Sequence, residues 1–174
     1  MIIQPLDEKQ HEQVRRATVD CLQRAGQMFR FSLESVAVTF DLTGSAVGMY
    51  RVRGGERVIR YNPYIFSKYF ENNLAVTVPH EVAHYVTDRL YGLRNIRPHG
   101  AEWKTVMRSL GVDPQVTARY DLSGVPVRRQ RRFSYRCECG THQISSCRHN
   151  KIQRGQSSYV CRRCGSAIYR TTGE

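Results

Sequence analysis

The stretch best suited to chemistry is His80-Glu81-Val82-Ala83-His84, an H-E-x-x-H pattern. On a helix the two imidazoles lie one turn apart on the same face, where both can bind one metal ion. Zinc sites of this type take a third protein ligand from elsewhere and keep one position open for water. The same five residues can also arise by chance, but they stand in an apolar, helix-compatible segment. The pattern therefore predicts a catalytic zinc site.

The third ligand is expected from a later segment that returns to this helix. His99 is our prediction, because it stands beside Gly100 at the start of the next predicted helix, after a loop that lets the chain reverse. Glu102 is the alternative, since a carboxylate completes the site in some zinc enzymes. Trp103, one turn beyond His99, is expected to anchor the helix so that the imidazole stays in place.

Glu81 lies between the two histidines and is expected to face the open coordination position. Zinc lowers the pKa of water from about 15.7 to about 7, which makes hydroxide available at neutral pH. Glu81 would take the proton of the water and pass it to the leaving nitrogen, so we predict that it is the catalytic general base. Metal binding without catalysis is the alternative.

Four of the six cysteines form two close pairs, Cys137-x-Cys139 and Cys161-x-x-Cys164, with 21 residues between them. In a reducing compartment this spacing favours a zinc ribbon with four thiolate ligands over disulfides. Because all four positions are filled, this zinc would be structural, and a module this small would depend on it to fold. The C-x-C pair is the less usual one. Alternative ligands for one position are His142, Cys147 and His149.

The net charge of +12 is concentrated near the C-terminus. Residues 128–174 hold eleven Arg and Lys against two Glu, a net charge of +9, whereas residues 1–127 carry only +3. This asymmetry predicts a polyanionic partner, and we expect DNA, single-stranded or distorted, with Phe133 and Tyr135 packed inward. The predicted nucleic-acid-binding residues are Arg128, Arg129, Arg131, Arg132, Arg136, Arg148, Lys151 and Arg154.

Two domains are predicted, 1–127 and 128–174, in an α+β fold. Apolar periodicity predicts a helix over residues 7–28, with Asp7 as its N-cap and Gly26 marking its end. Strand patterns over 36–42, 46–52 and 57–61, joined by links rich in turn residues, predict a three-stranded antiparallel sheet.

Three helices are expected after this sheet. A short helix over residues 64–71 precedes the motif helix, which begins near Thr77 as its N-cap, with Pro79 in the first turn. The alternative is a longer helix kinked at Pro79. The next helix covers 100–110, with Gly111 as its C-cap, and the second domain is expected to be a β-rich zinc ribbon.

The composition sets outer limits on the class of protein. Hydrophobic residues make up 40% of the chain, enough for one modest core, and the apolar runs are far shorter than a bilayer span. The N-terminal residues lack a basic start followed by an apolar stretch, so no secretory signal is predicted. We expect a cytoplasmic protein with no membrane partner.

These motifs together resemble the SprT family of zinc proteins, relatives of the Spartan proteases. The matching segments are residues 77–84, 99–103, 61–63, 135–139, 148–150 and 159–164. The resemblance implies a small zincin-like domain, with zinc on His80, His84 and His99 and with Glu81 as base, followed by the ribbon. In the Spartan relatives the activity is DNA-dependent proteolysis, including that of proteins crosslinked to DNA.

For this chain the resemblance implies a zinc metalloprotease that acts on proteins in association with DNA. The alternative is a nucleic-acid-binding zinc protein with a regulatory role and no protease activity.

Overall fold

The computed structural model describes residues 2–116, 120–126 and 131–171. The chain divides into two compact units, Met1–Val127 and Arg128–Glu174. The first combines several helices with a three-stranded sheet, and the described part of the second combines one helix with another three-stranded sheet, so the predicted α+β class is confirmed. Of the helices in the described ranges, none has the length and apolar character that crossing a membrane requires.

The first unit begins with a long amphipathic helix, α1 (Glu8–Phe29). Asp7 caps it as predicted: its carboxylate accepts the Gln10 N–H at 2.8 Å, and the Gln10 side chain accepts the Asp7 N–H at 3.0 Å. The predicted end at Gly26 is wrong. The Gly26 carbonyl accepts the Phe31 N–H at 3.0 Å, and the helix closes at Arg30, whose φ of 49° is left-handed.

Three strands form the sheet of this unit: β1 (Ala37–Thr39), β2 (Gly48–Arg53) and β3 (Glu56–Tyr61), in the order β1-β3-β2. β2 and β3 form the predicted hairpin, in which Gly54 and Gly55 supply the positive φ angles of a tight turn. β1 pairs with β3 in parallel. The sheet is therefore mixed, and the prediction of an antiparallel sheet is wrong.

The connection from β1 to β2 explains the difference. Its residues do not close a hairpin but run across the end of β3, where the Leu42 N–H donates to the Tyr61 carbonyl at 3.2 Å. Asn62 holds the same connection, since its main-chain N–H donates to the Val47 carbonyl and its side-chain amide donates to the Gly44 carbonyl. β2 consequently begins on the far side of β3.

A nearly continuous helical stretch follows: α2 (Pro63–Lys68), α3 (Phe70–Asn72), a π-helical turn (Asn73–Thr77) and α4 (Val78–Tyr91). As predicted, α4 begins beside Thr77 with Pro79 in its first turn, but Thr77 makes no capping hydrogen bond: it has helical dihedral angles, and its hydroxyl donates to the Asn73 side chain at 2.7 Å. Helical backbone also precedes Thr77, as in the alternative of a longer helix kinked at Pro79, and the irregularity is the π turn. The π turn accommodates Pro79, which lacks an N–H and whose ring does not fit an α-helical interior.

The last helix of the first unit is α5 (Ala101–Ser109), and Gly111 follows it with a φ of 79°. The core lies between the sheet, α1, α4 and α5. Its fully buried side chains include Val14, Ile59, Tyr61, Phe66, Val82, Val86, Trp103 and Met107. This core is large enough to fix the position of α4, which carries His80, Glu81 and His84, and of α5, which follows His99.

The second unit contains a hairpin, β4 (Arg132–Cys137) and β5 (Gly140–Ser145), followed by α6 (Ser146–Gln153) and β6 (Tyr169–Arg170). The strand order is β5-β4-β6, and all pairs are antiparallel. The helix α6 was not predicted, because its residues are polar and show no apolar stripe. Its one buried residue is His149.

Candidate active site and metal centres

Three histidines converge in the first unit. His80 and His84 lie one turn apart on α4, and His99 stands two residues before α5. The Nε2 atom of His99 lies 3.1 Å from that of His80 and 3.0 Å from that of His84. Nitrogen ligands at about 2.0–2.1 Å from a tetrahedral zinc ion stand about 3.3 Å apart, so the three atoms fit one ion. Within the described residues the cluster contains His99 and not Glu102.

The backbone before α5 sets the direction of the His99 ring. His99 has a φ of 57°, a left-handed conformation that costs a non-glycine residue free energy and needs support from its surroundings. The Gly100 N–H donates to the Arg97 carbonyl at 2.9 Å, and a Cβ at Gly100 would stand 2.9 Å from that oxygen. Glycine is therefore required beside His99 for this tight turn.

Trp103 packs against all three histidine rings. This position agrees with the prediction that Trp103 anchors the helix beside His99. Its ring centroid lies 4.7 Å from those of His80 and His99 and 5.6 Å from that of His84. Its indole N–H donates to the His80 carbonyl at 3.3 Å. A rigid ring against all three imidazoles restricts their rotation and holds the Nε2 atoms together.

Burial keeps the three imidazoles neutral. Burial, together with the neighbouring imidazoles, lowers the pKa of His80 to about 4 and that of His84 to about 3. The pKa of His99 is also lowered by burial. A metal ion binds the unprotonated nitrogen, so this environment suits metal ligands at neutral pH.

Glu81 lies on α4 between these ligands and is 5% exposed. Its Oε2 accepts the main-chain N–H of Tyr50 at 2.7 Å. A Cβ at Gly48 would stand 2.6 Å from its Oε1, so the carboxylate touches the strand β2 directly. Burial raises the pKa of Glu81 to about 8, and the hydrogen bond from Tyr50 opposes that rise. The side chain is thus a buried carboxyl group beside the histidines.

An open cleft gives access to the cluster. A hollow of about 410 Å³ is lined by the three histidines, Glu81 and apolar side chains that include Leu93 and Ile96. A smaller hollow of about 170 Å³ also reaches His80 and Glu81, from the side of Ser45 and Val76. The histidine cluster is therefore accessible to a substrate, which a purely structural metal site does not need.

Sequence reasoning missed three residues around Glu81: Gly48, Tyr50 and Asp88. The Tyr50 hydroxyl donates to Asp88 Oδ2 at 2.6 Å, and Asp88 is a buried residue of α4. One signal was present in the sequence. Asp88 follows His84 by one helical turn and so lies on the face that carries the motif. Its partner Tyr50 stands 38 residues earlier, beyond the reach of a local pattern.

Four cysteines form the second candidate metal centre. The Sγ of Cys139 lies 3.4 Å from that of Cys137 and 3.6 Å from that of Cys161, and Cys164 Sγ lies 3.8 Å from Cys137 Sγ. Thiolates at about 2.3 Å from a tetrahedral zinc ion stand about 3.8 Å apart, so the set fits. Hydrogen bonds from Ser166 lower the pKa of Cys164, whereas the neighbouring thiols raise the pKa of Cys139.

The alternative ligands have other positions. His149 is stacked on Phe133, with centroids 3.6 Å apart, and its Nδ1 lies 3.1 Å from the Tyr135 hydroxyl. Cys147 is exposed. His142 lies nearest, with its Nε2 2.9 Å from Cys137 Sγ, as a hydrogen-bond partner of that cysteine. Within the described residues the four-cysteine set is complete without them.

The basic side chains predicted to contact DNA divide into two groups. Arg128 and Arg129 lie outside the described residues. The others are exposed on the second unit: Arg131, Arg132, Arg136, Arg148, Lys151 and Arg154. As predicted, Tyr135 is packed inward and fully buried, and Phe133 is half-buried. DNA binding by these residues stays a prediction.

The fold and the histidine site together define an α+β domain of the H-E-x-x-H type with a third histidine. A profile described as the SprT-like family matches residues 18–129. The chain belongs to the SprT-like family, as the sequence motifs predicted.

Proteins named SprT match most of this chain, which supports the same family. A Vibrio parahaemolyticus protein named SprT is 36% identical over 86% of this chain and 87% of its own length. The corresponding Pasteurella multocida protein is 32% identical over 93% and 96%. The Pseudomonas aeruginosa protein is 36% identical over 88% and 91%. Because the Pasteurella match covers 93% of the chain, it extends past residue 129 into the second unit.

Proposed function

We propose that this chain is a zinc-dependent metallopeptidase that acts on protein substrates in association with DNA. The observation that carries the proposal is the convergence of three neutral imidazole nitrogens beside a buried carboxyl group in an accessible cleft. Membership of the SprT-like family supports it. Zinc on His80, His84 and His99 would be catalytic, and zinc on the four cysteines would be structural.

Glu81 is the residue that moves protons in this proposal. When bound, zinc would polarise the peptide carbonyl and lower the pKa of the attacking water. Glu81 holds one carboxylate oxygen on the Tyr50 N–H, so the other is available to accept a proton from water and return it to the leaving nitrogen.

The charge distribution supports association with DNA. Between residues 131 and 171 there are nine Arg and Lys and a single Glu. Phosphate contacts of such side chains release counterions and give salt-dependent binding. A basic unit joined to a peptidase unit would bring the cleft to proteins held on DNA, and we propose proteins crosslinked to DNA as one substrate class.

The test compares the wild type with Glu81→Gln on a basic protein substrate, with and without single-stranded DNA. Glutamine keeps an oxygen for the Tyr50 N–H but cannot accept the proton, so the variant should bind two zinc ions and cleave at least about 100-fold more slowly. Equal cleavage by both proteins would remove Glu81 from the mechanism. DNA should accelerate cleavage by the wild type, and the gain should shrink at high salt.

A regulator without protease activity is the second candidate, and the +9 charge of the second unit favours it independently of the histidines. It predicts salt-sensitive DNA binding and intact substrate under every condition. DNA binding whose affinity is the same at 50 mM and 200 mM salt would count against both candidates, because phosphate contacts must weaken as salt rises.

A further inference from the structure

We propose that Tyr50 and Asp88 form a clamp that positions Glu81 for proton transfer, an inference that rests on the proposed peptidase function. Tyr50, a single residue of β2, forms hydrogen bonds with two residues of α4. Its main-chain N–H holds Glu81 Oε2 at 2.7 Å, and its hydroxyl holds Asp88 Oδ2 at 2.6 Å, seven residues further along the helix. Tyr50 and Asp88 are thus positioning residues that act through Glu81.

The position of β2 in the sheet is the reason a clamp is needed. In the described part of the chain β2 has a strand neighbour only on the side of β3, so its other edge faces α4. The Tyr50 N–H on that edge bonds Glu81 instead of another strand. Ladder bonds to β3 do not fix the distance between this edge and α4, whereas the bond from the Tyr50 hydroxyl to Asp88 does.

Asp88 is built to accept this bond. Its side chain is 4% exposed, and Arg57 Nε donates to the same Oδ2 atom at 2.6 Å. Burial raises the pKa of Asp88, but the hydrogen bonds from Tyr50 and Arg57 outweigh it and hold the pKa below its ordinary value. Asp88 is therefore a charged acceptor, and hydrogen bonds to charged acceptors are short and strong.

Gly48 completes the arrangement from the other side. Because a Cβ there would meet Glu81 Oε1 at 2.6 Å, the carboxylate lies between the backbone of Gly48 and the N–H of Tyr50. A small displacement of β2 would change the direction of Glu81. Displacements of about 1 Å in a reacting group can lower rates by about 100-fold.

The first test is Tyr50→Phe, which removes the hydroxyl and keeps both the ring and the main-chain N–H. The matched control is Tyr85→Phe, because the Tyr85 hydroxyl donates to the Glu34 carbonyl at 2.9 Å and does not bond Glu81 or Asp88. Tyr50→Phe should lower kcat by about tenfold while KM and zinc content stay within about twofold. Tyr85→Phe should leave kcat within twofold at a similar melting temperature.

A double variant separates positioning from general stability. If both residues act through one bond, Tyr50→Phe combined with Asp88→Ala should lower kcat no further than Asp88→Ala alone. Independent effects that multiply in the double variant would overturn the clamp. A fall in kcat that Tyr85→Phe reproduces would overturn it as well.

The second test needs no catalysis. Hydrogen exchange of the main-chain N–H at position 50 can be measured by NMR on the zinc-loaded full chain. It should be at least about tenfold faster in Tyr50→Phe and in Glu81→Ala than in the wild type. Tyr85→Phe should leave it unchanged. If exchange responds in this way while the wild type cleaves nothing, the clamp stands and the peptidase proposal fails. Unchanged exchange in Tyr50→Phe would overturn the clamp whatever the activity.

Discussion

The histidine cluster of the first unit and the cysteine cluster of the second are supported in different ways. His80 and His84 lie on α4, and His99 stands just before α5; both helices pack into a core of fully buried side chains, with Trp103 against the three rings. In the described part of the second unit the buried residues are few: Tyr135, Cys137, Ile144, His149 and Cys161. Two of these five are themselves candidate ligands, so the metal centre is a large part of that core.

The two centres also differ in their chemistry. The cysteine set offers four ligands, which would fill the coordination of a tetrahedral zinc ion and leave no position for water. The histidine set offers three, with a buried carboxyl group beside them and an open cleft in front. We therefore expect the first unit to fold without its metal and the second unit to need its metal in order to fold.

Removing metal from the second unit should have the largest effect. Structural zinc contributes about 10–16 kcal/mol to folding in small zinc modules, so Cys161→Ala or a strong chelator should unfold residues 131–171. Hydrogen exchange followed by mass spectrometry should show full loss of protection in β4 and β5, with α1 and α4 unchanged. Persistent protection of β4 in chelator would show that the second unit folds without metal, so that the two units would not differ in this respect.

Losing the histidine site should cost the first unit less. His99→Ala removes one of three ligands, so zinc content should fall from two ions per chain to one while α1, α4 and α5 stay protected from exchange. The stability lost is the linkage contribution of the ion, about 4 kcal/mol when free zinc is 1,000 times its Kd. The measurement is metal analysis together with the melting temperature. Global unfolding of His99→Ala in zinc would show that this unit also depends on its metal.

Local sequence patterns were sufficient to predict features in which residues suited to chemistry or capping stand close to residues with a clear backbone preference. The spacing of His80 and His84 specifies a shared helical face, and Asp7 followed by Gln10 specifies a helix start. His99 was predictable because glycine beside it permits the tight turn that the structure contains. These features depend on a few neighbouring residues, which is why the sequence alone was enough.

Features that depend on distant partners were not predictable in this way. The residues at 43–45 indicate a turn, but the parallel direction of β1 depends on Asn62, which bonds to the loop from beyond β3. The clamp is the same kind of feature, since Tyr50 and Asp88 belong to different elements and form no motif. The helix α6 has no apolar stripe and packs chiefly through His149. Periodicity therefore could not identify it.

Adding one methyl group at Gly48 on β2 should show how strongly activity depends on the position of Glu81. Gly48→Ala places a Cβ against Glu81, so we expect a stability loss of about 1–3 kcal/mol, as for overpacked sites, together with reduced cleavage. Gly55→Ala on the same hairpin is the control. Its φ of 86° strains the backbone of an alanine, but no atom lies within 4 Å of the new Cβ, so stability should fall without a contact to Glu81. Equal activity in the two variants, at equal stability, would show that Glu81 tolerates displacement.

The smallest effect is expected from a surface ion pair of the first unit. Arg60 donates hydrogen bonds to Asp41, and Thr39 adds another, so the pKa of Asp41 is lowered from 3.8 to about 2. A lowered pKa in the folded state stabilises the protein above pH 4, and this contribution is lost as the pH falls through about 2. Because the Asp41 side chain is 60% exposed, the pair should contribute less than about 1 kcal/mol.

The measurement for this pair is urea unfolding of the wild type and Asp41→Asn at pH 5 and pH 2.5, followed by the fluorescence of Trp103, the one tryptophan of the chain. Chelator in every sample removes any contribution from metal release. The wild type should be more stable than Asp41→Asn at pH 5, and the difference should shrink at pH 2.5. A difference of several kcal/mol at pH 5 would mean that surface charge, rather than the buried core around α4, supports the unit that carries the histidines.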